Sequence, residues 1–513
     1  MPTVALKSSA AKWIMVSAIL ASAMAFIDAT ALNVVLPSLQ KSLNATGTDL
    51  FWLLNAYLLI LAALILIGGS LGDRLGRKKV FMIGIFIFII GSAACGFAPG
   101  INILIASRIV QGMGGALMIP GSLSLISSSI NEKERGKAIG TWSAITTVVT
   151  MGGPILGGAL ADAGLWRYIF FINVPLGVVA LVILAFKVKE SRDTTNNSAI
   201  DFPGAIAIAL GLALLTFGFL RIPAVGLHNW QVYLSLSGGI LLLIAFIIIE
   251  KNSKHPMMPL QLFANATFSG ANLLTFFLYA GLGSGMLFLG LNLVQAQGYS
   301  QLQSGLTFLP FTVLMITIAR FAGGLADKHG PRLFLIFGPA IAGAGLLILS
   351  FVKQTNGPAE YWITFFPGIV IFGLGMSFTV APLTAAVMGS VSDHFSGTAS
   401  GINNALTRIA NVFANAIFGA LAVLFFAGAL QDEIKNIPLN VKEKQEVSAQ
   451  AVNLGNAKVP ASINSKDKMT IEKYYHESFI HAYTNIMRIS AGLGFLGALM
   501  AFAFVRNSAV KKQ

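Results

Sequence analysis

One aspartate in the first apolar run of the chain is placed where it can do chemistry inside a membrane. Asp28 lies well within the run from Trp13 to Leu36, which is long enough to cross a hydrocarbon core. An ionised carboxylate is expensive at such a depth, so Asp28 must either bind a proton or meet a cation. The position therefore favours proton uptake and release, or recognition of a positively charged substrate. The alternative is a structural carboxylate that is hydrogen-bonded to a neighbouring hydroxyl such as that of Thr30.

A second charged side chain lies near the start of the fourth apolar run. Insertion scales put an arginine at mid-membrane at about 2.5 to 3.5 kcal/mol, so some other group must compensate the charge of Arg108. Gln111 follows one helical turn later and shares its face of the helix. The alternative is an arginine that extends its charged end to the membrane interface.

Other polar residues at membrane depth carry weaker signals. Asp162, at the end of the fifth run, could act as an acid in an outer vestibule, although an ordinary interfacial charge explains it as well. Asn403, Asn404 and Arg408 make the thirteenth run unusually polar, which indicates either a cavity-facing helix or hydrogen bonds between helices. The six histidines lie in loops or at the ends of runs, and no catalytic cluster, metal-ligand cluster or phosphate-binding loop occurs at membrane depth. We therefore expect no enzymatic activity, no catalytic residues, no metal and no cofactor.

A charged, glycine-rich segment between the second and third apolar runs occurs twice. It reads G-S-L-G-D-R-L-G-R-K-K from Gly69 to Lys79, and a weaker copy begins at Gly323. A polar hairpin that recurs among hydrophobic helices is typical of transporters built from duplicated halves. The glycines permit a sharp turn, and the acidic and basic side chains can bond a helix N-terminus or charges on neighbouring helices. The residues predicted to act in gating are Gly69, Asp73, Arg74, Gly76, Arg77 and Asp327. The alternative is a basic loop that only orients the chain.

The elements that must position these residues are membrane-spanning helices. The chain is 55% hydrophobic and 11% charged, far from the roughly 25% charged residues of soluble proteins. Apolar runs of about 20 residues recur fourteen times. The formal charge is +14, but lysine and arginine are concentrated in alternate loops, which predicts that both termini are cytoplasmic. A solvent-facing basic surface for nucleic acid is therefore not expected.

The spacing of the two polar hairpins predicts the domain organisation. Eight apolar runs separate them, whereas duplication of a six-helix half would leave six. We assign residues 1–188 to an N-terminal six-helix bundle and 189–260 to two inserted linker helices. Residues 261–513 form a C-terminal six-helix bundle that includes an extracytoplasmic loop at about 429–477.

Four stretches resemble motifs of the major facilitator superfamily, and in particular of its fourteen-helix drug:proton antiporter branch. Gly69–Lys79 resembles the signature between helices 2 and 3, and Leu104–Gly115 resembles the helix 4 motif. The segment G-P-I-L-G-G is similar to the antiporter motif of helix 5, and Asp28–Pro37, which includes Asn33, is similar to the helix 1 motif of that branch. The antiporter motif residues are Gly153, Pro154, Gly157 and Gly158. The resemblance extends over essentially the whole chain.

The resemblance implies an all-α membrane protein with the major facilitator fold, in which two pseudo-symmetric six-helix bundles and two inserted helices give fourteen transmembrane helices. It also implies that Asp28, Arg108 and Gln111 take part in proton coupling. The kinked, glycine-lined fifth helix is expected to favour antiport, although generic packing of small residues is the alternative. The expected substrate-binding residues are Asp28, Asn33, Asp162, Asn403, Asn404 and Arg408.

These features predict a proton-coupled secondary transporter that exports lipophilic, cationic compounds. The alternatives are export of an endogenous metabolite or lipid by the same fold, and a membrane receptor that does not transport. The expected partners are a small-molecule substrate, protons and the lipid bilayer, without nucleic acid. We expect a functional monomer that crosses the bacterial inner (plasma) membrane many times.

Overall fold

Helices make up almost all of the structure. A computed structural model describes residues 4–191, 201–254, 256–392, 395–435 and 437–506. Within these ranges the chain forms no β-strand, and fourteen helical segments are long and apolar enough to cross a membrane. The predicted all-α class and the predicted number of spans are both confirmed.

The first six spans contain seven helices, because the sixth span is divided at Ile172. They are α1 (Ser9–Leu43), α2 (Gly47–Leu75), α3 (Arg77–Phe97), α4 (Ile101–Ser129), α5 (Glu132–Asp162), α6 (Tyr168–Phe171) and α7 (Asn173–Lys187). The two spans of the predicted insertion are α8 (Phe202–Val225) and α9 (Trp230–Asn252).

The last six spans are arranged in the same way, with the tenth span divided between two helices. They are α10 (Ala266–Gln295), α11 (Gln301–Leu306), α12 (Leu309–His329), α13 (Arg332–Leu349), α14 (Phe365–Gly389), α15 (Ser396–Ile434) and α17 (Ser465–Phe504). The short helix α16 (Val441–Ala449) lies between the last two spans.

Large apolar side chains point outward along these helices. Phe186 is 80% exposed and Phe321 is 73% exposed, and many other aromatic and aliphatic side chains are also exposed. A soluble monomer rarely shows apolar surface on this scale, whereas a lipid-facing helix requires it.

The repeated charged segment is helical rather than a loop. We expected a polar loop between the second and third spans, but α2 continues through the segment to Leu75 and α3 begins at Arg77. The turn is made by Gly76, whose φ is 112°, and in the second copy by Gly330, whose φ is 84°. Glycine adopts positive φ without strain, so both copies need glycine at this position.

A second pair of glycines shows that the two halves pack their helices alike. A Cβ atom added to Gly114 of α4 would lie 2.3 Å from the backbone nitrogen of Phe88 on α3. A Cβ added to Gly375 of α14 would lie 2.2 Å from the backbone nitrogen of Ala342 on α13. Phe88 and Ala342 are separated by the same offset as the two turn glycines. The duplication predicted from the hairpins is therefore present in the helix packing.

The chain divides into two compact units. The first comprises Met1–Leu32, Leu53–Leu214 and Gly238–Leu260, and the second comprises Asn33–Trp52, Leu215–Ser237 and Gln261–Gln513. In the first unit α3 packs along α4 and α7, and in the second α10 packs on α17 and α13 on α14. The division into residues 1–188, 189–260 and 261–513 stays a prediction.

The segment predicted as a loop at 429–477 is largely helical. α15 enters it as far as Ile434, α16 and a 3₁₀ helix (Gln450–Asn456) follow, and α17 begins before its end. The segment packs on the end of α1, because Gln40 Nε2 donates to the Asn453 carbonyl at 3.2 Å. The hydroxyl of Tyr475 donates to the carbonyl of Val447 at 3.2 Å. These bonds make the segment a packed cap in the second unit.

The predicted topology can be tested by cysteine labelling. In intact cells Gln450→Cys is expected to react with a membrane-impermeant maleimide, whereas Thr195→Cys should react only after the membrane is opened. The native Cys95 is buried and should not react. Labelling of residue 450 only in opened cells would contradict an extracytoplasmic cap.

Candidate functional site

Asp28, Arg108 and Gln111 come together in the interior of the first unit. The Nη1 atom of Arg108 donates to Asp28 Oδ2, in an ion pair, and to Gln111 Oε1 at 2.7 Å. Gln111 Nε2 donates to Asp28 Oδ1 at 2.9 Å, which closes a ring of three side chains. Their exposed fractions are 0%, 1% and 0%. The buried guanidinium thus points to a carboxylate on α1 rather than to an interface.

This ring compensates both buried charges. Each carboxylate oxygen of Asp28 accepts a hydrogen bond, and one of the two donors is cationic. Removal of one partner from a buried ion pair typically costs about 3 to 5 kcal/mol, because the other charge is left without compensation. The ring is therefore stable only while a positive charge faces Asp28.

Two further side chains contact the ring and were missed by the sequence analysis. The guanidinium carbon of Arg108 lies 4.3 Å from the centre of the Tyr57 ring, in a cation–π contact. Cys95 Sγ lies 3.8 Å from Gln111 Oε1, so the thiol can donate a weak hydrogen bond there. Both residues are on other helices, α2 and α3, and sequence spacing alone gave no signal for their approach.

Glycines on α3 and α4 permit this approach. A Cβ added to Gly112 would lie 2.8 Å from the carbonyl oxygen of Tyr57, and one added to Gly91 would lie 2.5 Å from the backbone nitrogen of Gln111. Separations below 3 Å are not tolerated without movement of the backbone. Gly112 of the helix 4 motif and Gly91 of α3 therefore permit the close approach of α4 to α2 and α3 around the ring.

The antiporter motif on α5 packs against α1 directly beside Asp28. A Cβ added to Gly153 would lie 2.0 Å from Thr30 Oγ1, and one added to Gly157 would lie 2.7 Å from the carbonyl oxygen of Ala31. Gly158 is buried, whereas a Cβ on Gly152 would meet nothing within 4 Å. The motif thus presents a smooth face to the helix that carries Asp28.

Pro154 adds a polar contact between the same two helices. Proline has no N–H, so the carbonyl of Thr150, four residues earlier, loses its helical donor. Thr30 Oγ1 lies 2.9 Å from this oxygen and 2.8 Å from the carbonyl oxygen of Phe26. Its single hydroxyl proton serves these backbone oxygens, while Arg108 and Gln111 serve the carboxylate of Asp28. The structure therefore does not favour a structural bond between Thr30 and Asp28.

The charged segment around Gly76 is held by a residue that the sequence analysis missed. Glu190, just after α7, accepts the backbone N–H of Lys78 at 2.9 Å and of Lys79 at 3.0 Å. The backbone N–H of Arg77 donates to the carbonyl of Ser191 at 2.8 Å. Glu190 thus caps the N-terminus of α3, where a negative charge is stabilised by the helix dipole.

A bond to a helix N-terminus was one of the two roles that we expected for the acidic side chains of this segment. The side chains of Asp73 and Asp327 lie outside the described part of the structure, and their gating role stays a prediction. Arg74 is exposed, and Gly69 of α2 lies near α4, with a Cβ position 3.9 Å from Pro120. In the sequence Glu190 and Ser191 follow the basic end of α7. No other sequence feature indicated that they cap the N-terminus of α3.

Replacement of Glu190 by alanine is expected to slow transport and to lower the free energy of unfolding by about 0.5 to 2 kcal/mol, because the α3 N-terminus loses its cap. Substrate affinity at equilibrium should change less than tenfold, about 1.4 kcal/mol. Glu443→Ala is the matched control, since Glu443 caps α16 outside the spans. Equal effects of the two variants on the transport rate would argue against a role in cycling.

The remaining predicted binding residues lie elsewhere. Asp162 is exposed at the end of α5, and Asn33 is half-buried on α1. In the second unit Asn403 Nδ2 donates to Thr275 Oγ1 at 2.7 Å and to Asn272 Oδ1 at 3.1 Å, which supports hydrogen bonding between α15 and α10. In the same unit Asn404 is exposed and bonded to its own helix, and Arg408 is half-buried.

The second half replaces the polar ring with aromatic side chains. A Cβ on Gly345 would lie 2.4 Å from the backbone nitrogen of Phe372, just as one on Gly91 approaches Gln111. Phe372 therefore takes the place of Gln111. It stacks on Phe311, with ring centres 5.4 Å apart. An apolar ring therefore stands in the second half where the first half has the amide of Gln111.

Comparisons with known proteins agree with this architecture. The sequence profile described as Major Facilitator Superfamily matches residues 18–415, and the chain belongs to that superfamily. Multidrug resistance protein Stp of Mycobacterium tuberculosis is 30% identical over 80% of this chain and 76% of its own length. A tetracenomycin C resistance and export protein of Streptomyces glaucescens is 26% identical over 94% of this chain and 90% of its own.

Solved structures show the same fold. A bacterial homolog of the human lysosomal transporter Spinster superposes with a TM-score of 0.69 at 18% identity, covering 98% of this chain and 100% of that one. A D-xylose-proton symporter gives 0.61 at 16% identity, with the same coverage of both chains. The chain is thus a multi-pass membrane transporter with the major facilitator fold, and its relatives include drug resistance and export proteins.

Proposed function

We propose that this transporter exports lipophilic cations in exchange for protons, with Asp28 as the group on which the two ligands compete. The observation that carries the proposal is a fully buried carboxylate whose two oxygens are held by Arg108 and Gln111. A charge in the membrane interior is rare outside functional sites. A second support is the packing of the antiporter motif against α1 at Thr30 and Ala31.

Competition at Asp28 follows from its charge balance. The carboxylate needs one positive partner, which is Arg108 in this structure. A proton neutralises Asp28 and removes the attraction to Arg108, and a cationic substrate can replace either of them. Arg108, a proton and a cationic substrate are thus alternative partners of Asp28, which needs one of them at a time. Exchange of one proton for one monovalent cation moves no net charge, so the pH gradient drives it. The membrane potential, worth about 2.3 kcal/mol per charge per 100 mV, contributes only when more proton charges enter than substrate charges leave.

The nature of the substrate is inferred from two features. Related proteins are named for resistance to drugs, among them multidrug resistance protein Stp and the tetracenomycin C exporter. The positive charge is inferred from Asp28 itself. We further propose that the protein works as a monomer in the bacterial plasma membrane, with both termini in the cytoplasm.

Export from cells or inverted vesicles tests this function. Fluorescent lipophilic cations should leave the cytoplasmic side, and a protonophore should stop their movement. Neutral compounds of similar size serve as the matched comparison. Export that is indifferent to the protonophore would contradict proton coupling, whereas coupled export of only an endogenous metabolite or lipid would overturn the assignment to cationic drugs.

A further inference from the structure

Two buried carboxyl groups face each other at the ends of the inserted helices. Asp201 immediately precedes α8, Glu250 lies in the last turn of α9, and their exposed fractions are 7% and 2%. A Cβ added to Gly204 would lie 2.8 Å from Asp201 Oδ2 and 3.1 Å from Glu250 Oε1. An oxygen of each carboxyl group therefore lies close beside Gly204, within the first unit.

Each carboxyl group has one oxygen that is anchored and one that is not. The backbone N–H of Gly204 donates to Asp201 Oδ1 at 2.9 Å, and that of Met258 donates to Glu250 Oε2 at 2.9 Å. The facing oxygens, Oδ2 of Asp201 and Oε1 of Glu250, are buried and have no donor among the described residues. Both oxygens lie close to the same position beside Gly204, but two ionised carboxylates can only accept hydrogen bonds.

The negative charge of Asp201 and Glu250 also has no positively charged partner among the described residues. Among the described residues no lysine, arginine or histidine forms an ion pair with either carboxylate. Lys251 and Lys254, the nearest cations in sequence, are exposed. The other groups that face the pair are backbone amides of α8 and of the turn after α9. Two neighbouring carboxylates in a buried site cannot both ionise without a large penalty.

A proton fits this site better than a metal ion. Calcium takes about six to eight oxygen ligands and magnesium about six, whereas the pair offers two free oxygens. One proton placed between these oxygens converts one acceptor into a donor and leaves a single negative charge. Both anchored oxygens keep their backbone donors. All four carboxyl oxygens are then hydrogen-bonded.

We propose that Asp201 and Glu250 share one proton, and that this shared proton latches the start of α8 to the end of α9. The O–H group of one carboxyl donates to the carboxylate oxygen of the other. Loss of the proton leaves two like charges in contact and opens the latch. The site lies at the end of the inserted helices that the charge distribution predicts to be cytoplasmic, so it responds to cytoplasmic pH. It is a proton site separate from Asp28 and does not depend on the proposed transport function.

The sign of the pH effect follows from the shared proton. The folded protein holds a proton that the unfolded chain releases more easily, so the latch stabilises the fold at low pH. Its contribution is lost as pH rises and the pair ionises. An amide in place of either carboxyl group can donate the same hydrogen bond without titrating. Glu250→Gln and Asp201→Asn therefore mimic the closed latch at every pH.

Melting of the purified full-length protein tests the latch. The melting temperature of the parent should fall as pH is raised from about 6 to about 9, and this fall should be much smaller in Glu250→Gln and in Asp201→Asn. Glu433→Gln, which alters an exposed carboxyl group on α15, should behave as the parent. An unchanged pH dependence in both latch variants would overturn the proposal.

Infrared spectroscopy gives a second measurement that does not depend on the stability of a variant. The parent at neutral pH should show a carbonyl band of a protonated carboxyl group that is lost in Glu250→Gln and in Asp201→Asn but kept in Glu433→Gln. If either latch variant fails to fold, the other still decides the question. A band that is absent from the parent, or that survives in a folded latch variant, would exclude the shared proton.

Discussion

Asp28→Asn is expected to abolish proton-driven export, measured per molecule of protein in the membrane because the loss of this charge also leaves Arg108 uncompensated. The amide keeps the shape of the side chain and can still bond Gln111, but it offers no negative charge to a proton or a cation. Binding of a cationic substrate should weaken at least about thirtyfold, because removal of one partner of a buried charge pair costs about 2 kcal/mol or more. Binding should also lose its dependence on pH, whereas affinity in the parent should rise with pH as protons cease to compete.

Asp28→Glu is the matched control for this substitution. It preserves the charge on a longer side chain and should retain partial function. Efflux rates and equilibrium binding, measured across a range of pH, give both results. Export of cations at the parental rate by Asp28→Asn, with undiminished sensitivity to a protonophore, would move the coupling acid elsewhere, and Asp162 would be tested next. A loss confined to cations would make Asp28 a recognition charge only.

Gly157→Ala is expected to have the second largest effect, because the added Cβ would lie 2.7 Å from the carbonyl oxygen of Ala31. Backbone cannot yield as a flexible side chain can, so α1 and α5 must separate. Overpacking of this kind costs about 1 to 3 kcal/mol. The separation would also shift Asp28 on α1. Transport should fall severely, and the melting temperature should fall with it.

Gly152→Ala is the matched control on the same helix. A Cβ at that position meets nothing within 4 Å. Alanine also has a higher helix propensity than glycine, by about 1 kcal/mol, so this variant should be equally or more stable. Equal transport by the two variants would show that close contact between α1 and α5 is not needed.

The chemistry of the site was more predictable than its surroundings. Asp28 and Arg108 stand out in sequence because a charge in an apolar run demands a partner, and Gln111 shares a helical face with the arginine. Their mutual contact required the fold, since α1 and α4 are far apart in the chain. Tyr57 and Cys95 gave no signal, because apolar runs contain many residues of these types and only packing selects among them.

The helical ends were predicted least well. Gly76 was recognised as a turn residue, but the helices on either side continue up to it, although Gly69, Gly72 and Asp73 are weak helix formers. The α3 N-terminus is capped by Glu190, which is distant in sequence and was not predicted. The start of α16 has a signal that can be recognised in a sequence, because Asn440 and Glu443 form a capping box there.

The most direct test of the account is proton release when a lipophilic cation is added to the purified transporter in weakly buffered solution. At a pH at which Asp28 carries a proton in the absence of substrate, the cation should displace that proton, so the parent is expected to acidify the solution in proportion to the substrate bound. Asp28→Asn is expected to release no protons, even at concentrations at which its weaker binding is complete. Equal proton release from the parent and from Asp28→Asn would contradict competition of proton and substrate at this carboxylate.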